Sequence, residues 1–206
     1  MKIWSDFYDN LLPDVPDCNP AMADIALRHA AREFFEKTRV WDELRGPVVT
    51  TANTIEYTFT TDTAQEDVVK LLGGTLEDLP LNILSVNNLQ SNWQTSISRI
   101  SGLMTQDRKS FYLLPARTAG LNIKTRIALK PCLVATGIPD EFFNQFVEEI
   151  CMGAKARLML SPKKPYTDLS LGAANRQMFE DKIAETARKV EKSFSRTSRR
   201  VVAHYF

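Results

Sequence analysis

Histidine and cysteine are the side chains of this 206-residue chain best suited to metal binding or nucleophilic catalysis, and there are only five of them. They are His29, His204, Cys18, Cys132 and Cys151. Zinc sites take such ligands at short spacings, and neither a cysteine nor the second histidine stands near His29, which has only Asp24 and Glu33 within helical reach. We therefore predict no metal site. We interpret His29 as a surface or partner-facing helix residue rather than a general base.

Two further groupings of residues resemble catalytic motifs without completing one. The pair Gly73-Gly74 lacks the lysine and serine of a phosphate-binding loop, and we interpret it as a hairpin turn. The carboxylates of Glu148 and Glu149 occupy adjacent helix positions about 100° apart, so they do not converge on one substrate atom. We interpret them as part of a solvated helix face. HExxH, CxxC and GxSxG do not occur in the sequence, which predicts no enzyme and no cofactor.

The composition is that of an ordinary globular protein, and the two ends of the chain carry opposite net charges. The chain is 44% apolar and 25% charged, with a net charge of +1, which predicts no general attraction to nucleic acid or membrane. Residues 1–24 carry one lysine against five aspartates, and residues 182–206 carry seven basic against two acidic side chains, which is typical of an interaction tail. The three scattered cysteines and the acidic start favour synthesis in a reducing cytosol without a signal peptide.

The chain divides into helical ends and a β-rich middle. Asn19-Pro20 is a helix start, the apolar stripe that follows ends near Arg39, and a short helical piece precedes it at Trp4–Leu11. Helix returns at Pro139, stops before Ser161, and a last helix begins near Asp168. The short connection makes these two helices antiparallel neighbours.

Alternating apolar residues predict strands between the helices. The clearest pattern is Leu121–Lys130, with further strands predicted at Ile55–Phe59, Leu81–Val86, Gln94–Ile100 and Ser110–Leu114. We therefore predict an α+β fold in which a three-helix bundle is interrupted by an antiparallel β insertion. The predicted domains are a helical bundle (1–39 plus 136–195), a β insertion domain that stands away from the helices (40–135) and an extended C-terminal tail (196–206).

Several segments, in this order, resemble the head-to-tail adaptor (connector) proteins of short-tailed bacteriophages, the tail tubular protein A-like group. The segments are Glu56-Tyr57-x-Phe59, Phe111–Ala116 ahead of the strand ending in Leu129-Lys130-Pro131, Ile138–Phe142, Gly153–Leu158 and Lys164–Asp168. Their order and spacing carry the resemblance, which spans residues 16–195. The stretch Thr61–Asp78 departs from the pattern, and its strand register stays open.

The resemblance implies structural work in the virion, with no catalytic residues and no cofactor. Such adaptors form a ring, usually of twelve copies, beneath the portal protein in the neck between head and tail. The ring extends the channel through which genomic DNA passes without sequence-specific binding, and it presents a platform for the tail nozzle, tube or fibre proteins. The protein is then made in the host cytoplasm and has no membrane partner.

The end of the chain is the candidate portal-binding site. Its basic and apolar side chains form a compact group at a terminus, and such a group on a soluble protein usually has a partner to contact. The residues are Arg196, Arg199, Arg200, Val201, Val202, Tyr205 and Phe206. An alternative interpretation is a stand-alone nucleic-acid-binding module using the same basic end, although aromatic residues are not interleaved with the charges as base stacking requires.

Overall fold

The computed structural model describes residues 1–85 and 102–192. In these residues short N-terminal elements are followed by one long helix, then by strands, and then by two more long helices. The helices are α1 (Tyr8–Leu11), α2 (Pro20–Thr38), α3 (Asp140–Met159) and α4 (Leu169–Glu191), with 3-10 turns at Trp4–Phe7 and Leu12–Asp14. The strands are β1 (Lys2–Ile3), β2 (Asp42–Val49), β3 (Glu56–Thr58), β4 (Glu66–Leu76), β5 (Leu79–Pro80), β6 (Asn82–Ile83), β7 (Gly102–Met104), β8 (Ser110–Leu114), β9 (Asn122–Pro131) and β10 (Gly137–Ile138).

The helix starts predicted at Asn19-Pro20, Pro139 and near Asp168 are confirmed, and two of them have a side-chain cap. The side chain of Asn19 accepts a hydrogen bond from the backbone N–H of Ala21 at 2.8 Å, which satisfies a free donor at the start of α2. Asp168 does the same for α4, accepting from the N–H groups of Ser170 and Leu171 at 3.0 and 2.9 Å. These caps lie where the sequence placed them because capping is a local property of the chain.

The strands within the described residues form three sheets. In the first four-stranded sheet, β9 lies between β2 and β4 and is antiparallel to both, so the strand order is β2-β9-β4-β5. A second sheet has the order β3-β8-β7-β6, in which β6 and β7 are parallel, and β1 pairs with β10. The strands predicted at Ser110–Leu114 and across 121–130 are confirmed. The strand predicted at Gln94–Ile100 lies outside the described residues.

The predicted fold class is wrong: the residues that the structure describes form a mixed α/β fold with three sheets, not a three-helix bundle carrying a β insertion. Helices and strands share one hydrophobic core, so the strands do not stand away from the helices. Trp41, just before β2, packs its ring 5.5 Å from Phe35 of α2 and 5.6 Å from Phe142 of α3. The sheet containing β9 therefore buries its inner face against α2 rather than closing a core of its own. The domain boundaries stay a prediction.

The predicted hairpin turn at Gly73-Gly74 is also wrong, because both glycines lie inside β4 and pair with β9. A Cβ on Gly74 would collide with the side chain of Leu103 and would lie 2.9 Å from the carbonyl oxygen of Lys124. Glycine is thus required at this position for close packing of the two sheets, not for a turn. The ladder is also irregular between Leu71 and Gly73, which hides the strand's period from the sequence.

Candidate functional site

The residues predicted to bind the portal lie outside the described residues. Arg196, Arg199, Arg200, Val201, Val202, Tyr205 and Phe206 all follow residue 192, so that site stays a prediction. Within the described ranges, a groove of about 690 Å³ lies where α2, α3, α4 and the end of β9 meet. It is lined by His29, Arg32, Glu33, Glu36, Lys37, Lys130, Ala156, Arg157, Leu160 and Arg176. We call it the cation-rich groove.

Glu33 of α2 is the electrostatic centre of the groove. Its carboxylate receives Arg176 of α4 through both Nη atoms, at 2.9 and 2.7 Å, and Arg157 of α3 through Nη2 at 2.7 Å. Lys37, one turn along α2, donates to it at 2.7 Å. These cations, Arg176 foremost, outweigh the effect of burial and lower the pKa of Glu33 to about 2. Glu33 is therefore ionised at any physiological pH and joins three helices.

The opposite end of the groove is held to the sheet by two more ion pairs. Lys130 of β9 is buried, and its ammonium donates to Glu36 at 2.8 Å. Arg32 donates to Asp67 of β4 at 2.8 Å and also to the carbonyl oxygen of Pro131. α2 is thus fixed to the sheet on this side by charge-assisted hydrogen bonds.

His29 lies at the edge of the groove among positive charges. Burial lowers its pKa, and Arg157, Arg32 and Arg28 lower it further, so the imidazole is neutral near pH 7. Neither carboxylate considered for it from the sequence is its partner. Asp24 accepts a hydrogen bond from the hydroxyl of Tyr8 at 2.7 Å, and Glu33 is paired with Arg157 and Arg176. His29 is exposed, in agreement with a surface role, and neither of these two carboxylates is available to it as an acid-base partner.

Other reactive groups are placed where they have structural roles. All three cysteines are buried and free, and burial raises the pKa of the Cys151 thiol to about 12. Glu148 is exposed on α3 and Glu149 is half-buried. Across residues 1–85 and 102–192, no cluster of three His, Cys, Asp or Glu side chains is placed to hold a metal ion, and no helix there is long and apolar enough to span a membrane.

The cation-rich groove was not predicted from the sequence, because its charges come from distant parts of the chain. Arg176 lies 143 residues from Glu33, and Lys130 lies 94 residues from Glu36. The only local signal is the i, i+4 pair of Glu33 and Lys37, which is common on exposed helices. In chemical terms the groove can hold carboxylates, since arginine forks match carboxylate geometry and already do so with Glu33.

Comparison with known proteins adds no family assignment: no protein-family model matches this chain, and no curated protein matches it.

Proposed function

We propose that this chain is a structural subunit of a bacteriophage neck, a head-to-tail adaptor that forms a ring beneath the portal. The ring, usually of twelve copies in such adaptors, extends the DNA channel and carries the tail nozzle, tube or fibre proteins. It performs no catalysis and contacts the passing DNA without reading its sequence.

The observation that carries the proposal is the ordered series of segments that resemble the adaptor family. These segments coincide with elements that hold the chain together. Tyr57 stacks on Phe111 with ring centroids 5.7 Å apart, and Phe59 lies 5.2 Å from the same ring. Pro139 precedes the first turn of α3, and Asp168 caps α4. In a family of structural proteins we expect the shared segments to be those that determine packing, rather than those that carry catalytic residues.

A second observation supports an assembly role. The cation-rich groove is an ion-pair network with an exposed apolar side chain, Leu160, on its lining. Protein–protein interfaces are enriched in arginine and have a polar rim around an apolar core. A small-molecule site would instead have a largely apolar interior with a few convergent polar groups.

The test is to mix the full chain with purified portal rings of the phage that encodes it and to image the product by electron microscopy. We expect an additional ring of this protein at the tail-facing end of the portal. A matched sample uses the chain truncated after Ser195, which we expect to stay folded and to leave the portal bare. Absence of a complex between the full chain and its own portal would refute the proposal. A shift of duplex DNA by the free chain, without portal binding, would favour a nucleic-acid-binding module instead.

A further inference from the structure

We propose that the cation-rich groove is one half of the contact between neighbouring subunits, and that it receives an acidic face of the next copy. This inference rests on the proposed ring. It names the two surfaces that meet and the chemistry that joins them.

The groove keeps an excess of positive charge after its internal pairs are counted. The ion pairs in and around it join six cations to four carboxylates. The cations are Arg32, Lys37, Arg108, Lys130, Arg157 and Arg176, and the carboxylates are Glu33, Glu36, Asp67 and Glu180. The side chains of Lys37 and Arg157 remain 48% and 40% exposed, so each can donate to a further carboxylate while it stays paired with Glu33.

The acidic face lies on the other side of α3. Helix α1 and the turn after it pack on this side of α3, where the Sγ of Cys151 lies 3.8 Å from the carbonyl oxygen of Phe7 and Lys155 pairs with Asp14. The exposed carboxylates that we assign to this face are Asp9 on α1, Asp14 in the turn after it, and Glu148 on α3. The face therefore carries three carboxylates against one ammonium.

The geometry of α3 places the two surfaces back to back. Glu148 and Arg157 are nine residues apart, which at about 100° per residue puts them on opposite sides of the helix. A molecule with complementary surfaces on opposite sides associates head to tail, and such contacts close into a ring when the rotation between subunits allows it. A two-fold dimer would instead require one surface to match itself.

The lining of the groove favours a protein occupant over a polyanion. Leu160 is 41% exposed at its wall, and on the outward side of α2 Ile25 is 45% exposed one turn before His29. A neighbouring subunit would cover this apolar surface, whereas a phosphate backbone would not.

The experiment is a charge swap followed by sedimentation velocity. One variant reverses the groove (Lys37→Glu with Arg157→Glu), and a second reverses the acidic face (Asp9→Lys with Glu148→Lys). A third carries all four changes. The matched control, Lys124→Glu with Lys189→Glu, makes the same charge change at two lysines, one half-buried and one exposed, that are each paired with one carboxylate away from the groove. Circular dichroism and thermal unfolding establish that each variant is folded.

We expect the wild-type chain to self-associate in about 0.1 M salt and to dissociate in about 1 M salt, where the Debye length falls from about 10 Å to about 3 Å. Each reversal should weaken self-association about 10- to 100-fold, and the four-fold variant should recover most of it. The control should behave as wild type. If the groove variant does not fold, the acidic-face variant alone still tests the contact, because it reverses the other of the two surfaces.

Three results would overturn the inference: a wild-type chain that stays monomeric at low salt, reversals that leave self-association unchanged, or a four-fold variant that fails to recover. Repeating the series on portal rings separates this inference from the proposed function. A ring on the portal that both reversals leave intact would refute only the interface. Self-association with the expected pattern, but no binding to the portal, would refute only the adaptor role.

Discussion

Removing the charge of Glu33 tests whether the network at the centre of the groove holds the helices together. In Glu33→Gln, Arg157 and Arg176 lose the carboxylate that separates two like charges. The pKa of Glu33 falls from an ordinary value of 4.5 to about 2 on folding. At about 1.4 kcal/mol per unit that shift corresponds to about 3 kcal/mol, which we reduce to about 2 kcal/mol because the arginines are 33–40% exposed and screened by water.

The pH dependence makes this prediction specific. Because folding lowers the pKa of Glu33, its stabilisation is complete above pH 4.5 and is lost as the pH falls toward 2. We therefore expect the free energy of unfolding in urea to differ by about 2 kcal/mol between wild type and Glu33→Gln at pH 7, and by progressively less below about pH 4. The control is Glu180→Gln, which removes the exposed i, i+4 partner of Arg176 and should cost well under 1 kcal/mol. A wild-type–variant difference that stays constant from pH 7 to the acid limit of folding would refute the reasoning.

Four further outcomes are expected. Phe34→Ala should lower the free energy of unfolding by about 3–5 kcal/mol, because the ring is fully buried within 6.4 Å of Phe35, Phe146 and Phe179; an unchanged urea midpoint would contradict this. Gly74→Ala should lower the melting temperature and Gly73→Ala should not, since a Cβ at residue 73 meets nothing closer than 3.9 Å. A thiol reagent should react slowly with all three buried cysteines in the native chain and quickly after unfolding. A cysteine that reacts quickly in the native chain would show that it is not buried. Deleting residues 196–206 should leave the melting temperature nearly unchanged and abolish portal binding, and changing Arg196, Arg199 and Arg200 to alanine should weaken binding and flatten its salt dependence; full affinity in either variant would exclude the C-terminal site.

Local signals in the sequence predict the elements whose causes are local. Asn19 and Asp168 cap helices through hydrogen bonds two or three residues away, so their effect is visible in a short window. The alternation of Ile123, Thr125 and Ile127 is regular, and these residues are buried while Asn122 and Arg126 are exposed; from Ile127 to Pro131 every residue of β9 is buried. The apolar stripe predicted after Asn19-Pro20 is also confirmed, because the buried residues of α2 repeat at helical spacing.

The fold class was missed because the decisive contacts are not local. The eight residues of β2 include Gly46 and Pro47 and alternate only weakly, since an edge strand is exposed on much of both faces. β4 contains two glycines and irregular pairing, so it resembles a loop in sequence. With these two strands unrecognised, β9 lacks both of its partners, and the helices are left to form a core alone.

Helix α2 explains why the groove and the core cannot be treated as separate modules. One side of it, including Leu27, Ala31 and Phe34, is buried in the shared core, while Glu33 and Glu36 on the other side receive α3, α4 and β9. Replacing the stretch 61–78 by a linker would remove Asp67, the partner of Arg32, together with the core residues Val68 and Leu71. The strands therefore contribute charges to the groove and apolar area to the core at once. A subunit contact built on this groove would form only when α2, α3, α4 and β9 are packed correctly. A misfolded copy would then lack the contact surface of the proposed ring.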